Sequence, residues 1–444
     1  MRALHKMKIV NGLSEGMRLL KRSPLDGGEE WSIDARASAD EEDTGSPLEV
    51  VRHILLDVRN RGDIAVLDYT RLLDKAELKF LRVSQKELET AVEQVPVDLR
   101  AAIDLAAERI RRFHQRQKRE SWMDFSEGGV GMLIRPLDRV GLYAPGGKAA
   151  YPSTVLMTGV PAKVAGVQEV VLATPPNSDG LLPPSVLYAA KAAGIDKVYK
   201  MGGAQAIAAM AYGTASVPKV DKICGPGNLF VTLAKKLVYG EVGIDGLEGP
   251  SEAIIIADDT ASPSLCAADM LAQAEHDEMA VAFFITTSKD LAKEVHSEVD
   301  SLLSQLSRSD TIASSLARHG GIIVVNTEDE AAELVNAYAP EHLSIMVKDP
   351  WQLVPKIRNA GAIFLGGFSS AALGDYMIGP NHILPTNGTA RFASPLTVDD
   401  FTKSSSLVAL NKDTALAIGT YAARIAASEG LTAHQRAIQL RLEL

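Results

Sequence analysis

Glu341 and His342 stand side by side in Ala339-Pro340-Glu341-His342-Leu343. An acid and an imidazole are the groups most used for proton transfer. Pro340 suits a first helical turn, so the pattern predicts a helix opening here. Neighbouring helical residues point about 100° apart, so the two would not pair but would address one substrate from two angles. A helix N-terminus disfavours imidazolium, which predicts a neutral His342 available as a base. A solvent-exposed cap is the alternative. The run Asp269-Met270-Leu271-Ala272-Gln273-Ala274-Glu275-His276-Asp277 reads as helical, with Gln273 and His276 on one face. An imidazole beside an oxygen donor can form the corner of a metal site; a surface His at a capped helix end is the alternative. The stretch from Leu373 to Phe392 is rich in Gly, Pro and Asn, yet it carries Asp375, Tyr376, His382 and Arg391. Long loops of this kind are usually functional or mobile, and Asp375 could complete a metal site. Glu429-Gly430-Leu431-Thr432-Ala433-His434 adds an acid and an imidazole around a glycine that can stop a helix. A plain break between two helices is the alternative there.

These residues need a scaffold, and the 444-residue chain supplies one. Its length suggests two or three domains. With 46% hydrophobic and 23% charged residues it reads as a soluble globular protein. A net charge of −10 without a basic block argues against broad nucleic-acid or anionic-membrane binding. No secretory signal and no membrane-length apolar run is evident. Two cysteines, Cys224 and Cys266, cannot staple a chain of this size, which points to reducing cytoplasm.

Residues 1–48 read as an irregular arm ending in the acidic run 40–43, and residues 49–129 as a helical segment. In the latter, Ser46, Pro47 and Glu49 form a helix start, and an amphipathic helix runs over about 96–120. From residue 130 short β-rich runs alternate with Ala-rich helical segments, which reads as parallel α/β. The runs lie near 139–143, 169–173, 197–201, 220–224, 253–257, 281–286, 321–325 and 361–365. They divide into a unit over 130–250 and a second over 251–390, followed by a helical tail over 391–444. Glycine-rich turns at 144–147, 202–205 and 225–228 follow strands of the first unit, where glycine lets a backbone approach a phosphate. The usual dinucleotide fingerprint is missing, and tight turns alone are the alternative.

The ordered blocks RVGLYAPGGKAAYPSTVLM, GGAQAIAAMAYGT, VPKVDKICGPGN, EGPSE, LAQAEHD, YAPEHL, LGDYMIGPNHILPTNGTAR and EGLTAH resemble those of the histidinol dehydrogenase family over about residues 50–444. The resemblance implies two incomplete Rossmann-like units of the aldehyde-dehydrogenase type, with terminal segments embracing a second subunit. It implies NAD-dependent oxidation of L-histidinol to L-histidine through an aldehyde, as the last steps of histidine biosynthesis, with one zinc per site. By the same resemblance Tyr143, Gln205 and Asn228 contact NAD, and Gln273, His276, Asp375 and His434 ligate zinc, the last from the partner of a homodimer. Ser251, Gln273, His276, His342, Asp375, Glu429 and His434 would hold the substrate, and Glu341 and His342 would be the catalytic pair.

Ala371 departs from the family pattern, which usually has Glu there, and Gly246-Leu247-Glu248 departs from the usual Met-Ile-Ala. A same-scaffold dehydrogenase of another polar alcohol, such as a sulfonated propanediol, and a non-catalytic relative are the competing readings. The presence of both Glu429 and His434 favours an imidazole-bearing amino alcohol. The retained Glu341 and His342 favour an enzyme.

Overall fold

The computed structural model describes residues 7–22, 46–126, 128–146 and 150–443. The acidic run 40–43 lies outside them. Two parallel sheets organise the chain. The first has five strands in the order Lys197–Lys200, Glu169–Thr174, Arg139–Tyr143, Lys222–Cys224 and Gly243–Ile244. Residues along its strands alternate between two cores. Val140, Leu142, Val170 and Leu172 face the helices Val97–Gln115, Pro152–Ala165 and Pro184–Ala193. Tyr143, Val171, Ala173 and Ile223 face Pro47–Arg61, Gly203–Tyr212 and Leu229–Val238. The helical segment 49–129 is therefore not separate: its apolar stripes, Val51, Ile54, Leu55 and Val58 on one helix and Ile103, Ala106 and Ile110 on another, complete the cores of the first sheet. The Ser46–Glu49 capping box forms as expected.

The second sheet has six parallel strands in the order Lys8–Asn11, Gly320–Val324, Val281–Thr286, Glu252–Ala257, His342–Met346 and Ala362–Leu365. Its first edge strand corrects the expectation of an irregular arm. Lys8–Asn11 pairs in register with Gly321–Val324, and the helix Leu13–Leu19 follows, packing beside Glu328–Tyr338. A four-residue edge strand with mostly exposed side chains carries too little periodicity to announce itself. A three-stranded antiparallel sheet joins Trp122–Asp124, Val130–Pro136 and Thr402–Val408. Beyond it, Lys412–Ser428 and Thr432–Leu442 form a helical hairpin whose main packing partner is itself. It leaves Leu416, Ile418, Tyr421, Ile425 and Leu440 exposed. Among the described residues no helix is long and apolar enough to cross a membrane, and Cys224 and Cys266 are buried and unpaired.

Candidate active site

A cleft of about 540 Å³ lies where the carboxyl ends of the five-stranded sheet meet the amino ends of the six-stranded one. From the first side come Pro145 and Gly227-Asn228; from the second come Ser251, His276, Glu341 and His342; Asp375, Tyr376 and His382 complete the wall. Asn228, Ser251, His276, Glu341, His342 and Asp375 thus all line this one cleft.

The backbone that presents the Glu-His pair differs from the expectation. The helix Glu328–Tyr338 ends before it, and Ala339 takes the left-handed conformation (φ 56°). His342 opens a strand between Glu252–Ala257 and Ala362–Leu365. Pro340 therefore follows a helix stop rather than starting a helix. A β-branched and aliphatic run, Leu343-Ser344-Ile345-Met346-Val347, is better suited to a buried strand than to a helix. Gly361 is required where the neighbouring strand starts, because a Cβ there would sit 2.6 Å from the Glu341 carbonyl oxygen.

Both residues are buried, each 5% exposed. Glu341 Oε2 accepts a hydrogen bond from the Glu252 N–H at 2.8 Å and lies 3.6 Å from His342 Nδ1. That nitrogen also lies 3.3 Å from the Glu252 carbonyl oxygen. His342 Nε2 has no hydrogen-bond partner and sits 3.6 Å from Asp375 Oδ1. The ring stacks on Phe364 with centroids 6.0 Å apart. Burial opposes the charged imidazole, but the Glu341 and Asp375 carboxylates overcome it and raise His342 to about 10. This reverses the expectation of a neutral His342, since the helix N-terminus behind that expectation does not exist. Burial likewise opposes the Asp375 carboxylate, yet the His342 beside it holds Asp375 below its usual range.

A test in metal-free protein follows. The folded pKa of His342 lies above its unfolded value, so the contribution is complete below about pH 6.5 and is lost as pH rises through about 10. Urea unfolding in the presence of a chelator should show His342→Asn flattening the fall in stability across that window. A parallel fall in both proteins would contradict the assignment.

Gln273 lies at the end of the helix Pro263–Ala274, buried, with its Nε2 unpartnered. His276 follows the helix end, is exposed, and faces the cleft. Tyr143 and Gln205 do not line the cleft. The Tyr143 hydroxyl accepts from the Gly203 N–H at 3.1 Å, and both Gln205 amide atoms are buried without partners. Asn228 caps the helix Leu229–Val238 through its side-chain oxygen, which leaves its amide N–H group for a ligand. Glu429 and His434 are exposed on the C-terminal hairpin and do not line this chain's cleft.

His382 was named within the polar 373–392 stretch, whereas Thr154 and Lys235 were not singled out by sequence. His382 contacts the Asp375 carbonyl oxygen at 2.9 Å through Nδ1, and Thr154 lies 3.4 Å from its Nε2. Lys235 is fully buried, donating to Asp245 and Glu248 at 2.6 Å each and to the Gly225 carbonyl at 3.0 Å. It ties the 225–228 turn to the 245–248 segment. Burial and the charge of Asp245 push Glu248 up to about 7 against the pull of Lys235. Glu248 thus places a second carboxylate on a buried lysine.

Residues 37–442 match the family model described as histidinol dehydrogenase. The chain belongs to the histidinol dehydrogenase family. Relatives named histidinol dehydrogenase include that of Dehalococcoides mccartyi, 48% identical over 98% of this chain and all of its own length. That of Moorella thermoacetica is 53% identical, covering 88% of this chain and 94% of its own. The crystal structure of histidinol dehydrogenase from Elizabethkingia anophelis superposes with a TM-score of 0.91 at 36% identity, covering 99% of this chain and 98% of that one. The two-sheet α/β architecture is thus that of histidinol dehydrogenases, and the chain is an oxidoreductase of that family.

Proposed function

We propose that this enzyme oxidises L-histidinol to L-histidine through L-histidinal, reducing two NAD in turn, in the final steps of histidine biosynthesis in the cytoplasm. The observation that carries the reading is the buried Glu341–His342 pair facing the cleft in a chain of this family. NAD would supply the hydride acceptor for each oxidation, and Asn228 on the cleft wall would hold it, while Tyr143 and Gln205, buried behind that wall, could act only by shaping the 202–205 turn. His342 takes the hydroxyl proton of the alcohol through its unpartnered Nε2. The aldehyde then adds water: Glu341 removes a proton from that water as it attacks the carbonyl carbon, and His342 returns the proton it took from the alcohol to the carbonyl oxygen, which gives the diol and leaves His342 neutral again. His342 removes a proton from the resulting diol as its second hydride leaves, giving the acid.

Zinc fits the donors present. Gln273 is buried with its amide Nε2 unpartnered, so a ligating role would fall to its Oε1, while His276 and Asp375 face the cleft. Among the described residues no group of three or more His, Cys, Asp or Glu could hold a metal within one chain, so the set calls for another ligand. His434 of a second copy answers that need, since the hairpin bearing it presents uncovered apolar side chains. Glu429 of that copy would join it in holding the substrate, with Ser251 on the near side. When bound, zinc would supply a fixed positive charge to orient the substrate's imidazole and amine, and that charge would oppose the Glu341 and Asp375 carboxylates that favour the imidazolium form of His342.

The test is NADH formation from L-histidinol. Two NADH per substrate, lost on chelation and restored by zinc, is the expected result. No NADH from folded, zinc-loaded protein would redirect attention to another alcohol and to Ala371. His434→Asn should lower zinc content and histidinol affinity with folding intact. Unchanged metal analysis and unchanged activity would sink the ligand assignment.

A further inference from the structure

We propose that Arg22 is a positioning residue for the Glu341–His342 pair, an inference that rests on the reading of those two as the catalytic groups. Arg22 is not part of the cleft wall. It comes from the N-terminal segment, just after the helix Leu13–Leu19. Its guanidinium pairs with both carboxylate oxygens of Glu252, through Nη1 to Oε1 and through Nη2 to Oε2 at 2.8 Å. Nη2 also approaches the carbonyl oxygens of Tyr338 at 2.9 Å and Ala339 at 3.4 Å. The guanidinium carbon lies 3.7 Å from the centroid of the Tyr338 ring.

These partners flank the pair on both sides. Tyr338 and Ala339 form the turn immediately before Pro340-Glu341-His342, and Ala339 holds a left-handed backbone that a residue with a Cβ adopts against steric resistance. Glu252 is 2% exposed, its N–H holds the Glu341 carboxylate at 2.8 Å, and its carbonyl oxygen faces His342 Nδ1 at 3.3 Å. One planar cation therefore fixes the turn that delivers both groups and the residue against which both are oriented. Its Glu252 partner is also held by the Asn387 N–H at 3.2 Å. A planar fork can meet a carboxylate and two carbonyls together; an ammonium is a point donor that cannot reproduce that arrangement.

The experiment compares Arg22→Ala and Arg22→Lys in the zinc-loaded enzyme, with Glu341→Gln and His342→Asn alongside. Misplacement by about 1 Å costs on the order of 100-fold in turnover, so Arg22→Ala should lose about that factor in kcat with the KM for histidinol and for NAD little changed. Added guanidinium should restore part of the loss. Arg22→Lys keeps a positive charge opposite the buried Glu252 and so should fold, with an intermediate kcat. A lowered melting temperature with wild-type kcat would show a merely structural role and overturn the proposal. So would a loss expressed in KM and insensitive to guanidinium. If Arg22→Ala does not fold, Arg22→Lys decides: reduced kcat at constant KM supports the proposal, and unchanged kcat refutes it. Full activity in Glu341→Gln and His342→Asn would instead overturn the catalytic reading on which it rests.

Discussion

His342→Asn should abolish both oxidations nearly equally, with kcat for histidinol and for histidinal each falling by about 10³-fold, within the range of a lost general base. The geometry gives the reason. His342 Nε2 is the unpartnered polar atom of the buried pair, while its Nδ1 is turned toward Glu252 and Glu341. Each step releases one proton from an oxygen on the reacting carbon, and the same nitrogen is placed to receive both. Asparagine keeps a polar group in the space but cannot accept a proton. Steady-state rates with each substrate check this. A variant that still oxidised the aldehyde at near wild-type rate would assign the second proton to another group.

Glu341→Gln should divide the two steps. Aldehyde oxidation should fall by about 10²-fold or more, because no carboxylate then takes the proton of the attacking water. Alcohol oxidation should fall less. Glutamine retains an oxygen that can accept from the Glu252 N–H, so the strand end keeps its shape, and removing the charge beside His342 lowers the bias toward imidazolium. The ratio of the two rates is the informative quantity, measured separately from histidinol and from histidinal. Equal losses would mean that Glu341 works only by setting the state of His342.

What the sequence makes legible follows from what each residue does locally. The central strands are near-continuous apolar runs, and 139–143 and 281–286 fall where their patterns place them. Gln273, His276, Asp375 and the Glu-His pair stand in distinctive polar segments, so they can be named as candidates without coordinates. Their backbone is less so. Pro340 suits a first helical turn and also the position after a helix stop, and only the pairing with Glu252–Ala257 decides between them. Lys235 and Arg22 escape notice because a lysine in an amphipathic helix and an arginine in a polar arm look like surface. Arg22 is half-covered by partners far along the chain, and Lys235 is buried against Asp245 and Glu248 of the segment that follows its helix.

That distance has a consequence for biosynthesis. Arg22 meets the Tyr338 carbonyl 316 residues further along the chain, and Lys8–Asn11 pairs with a strand of similar remoteness. The ribosome makes this arm first, yet nothing it binds exists until most of the polypeptide has emerged. At ~5–20 residues per second the wait is roughly 15 to 60 seconds. During that time the arm has no partner, so Glu341 and His342 gain their setting late in synthesis, when the strand and the turn that the arm binds have emerged.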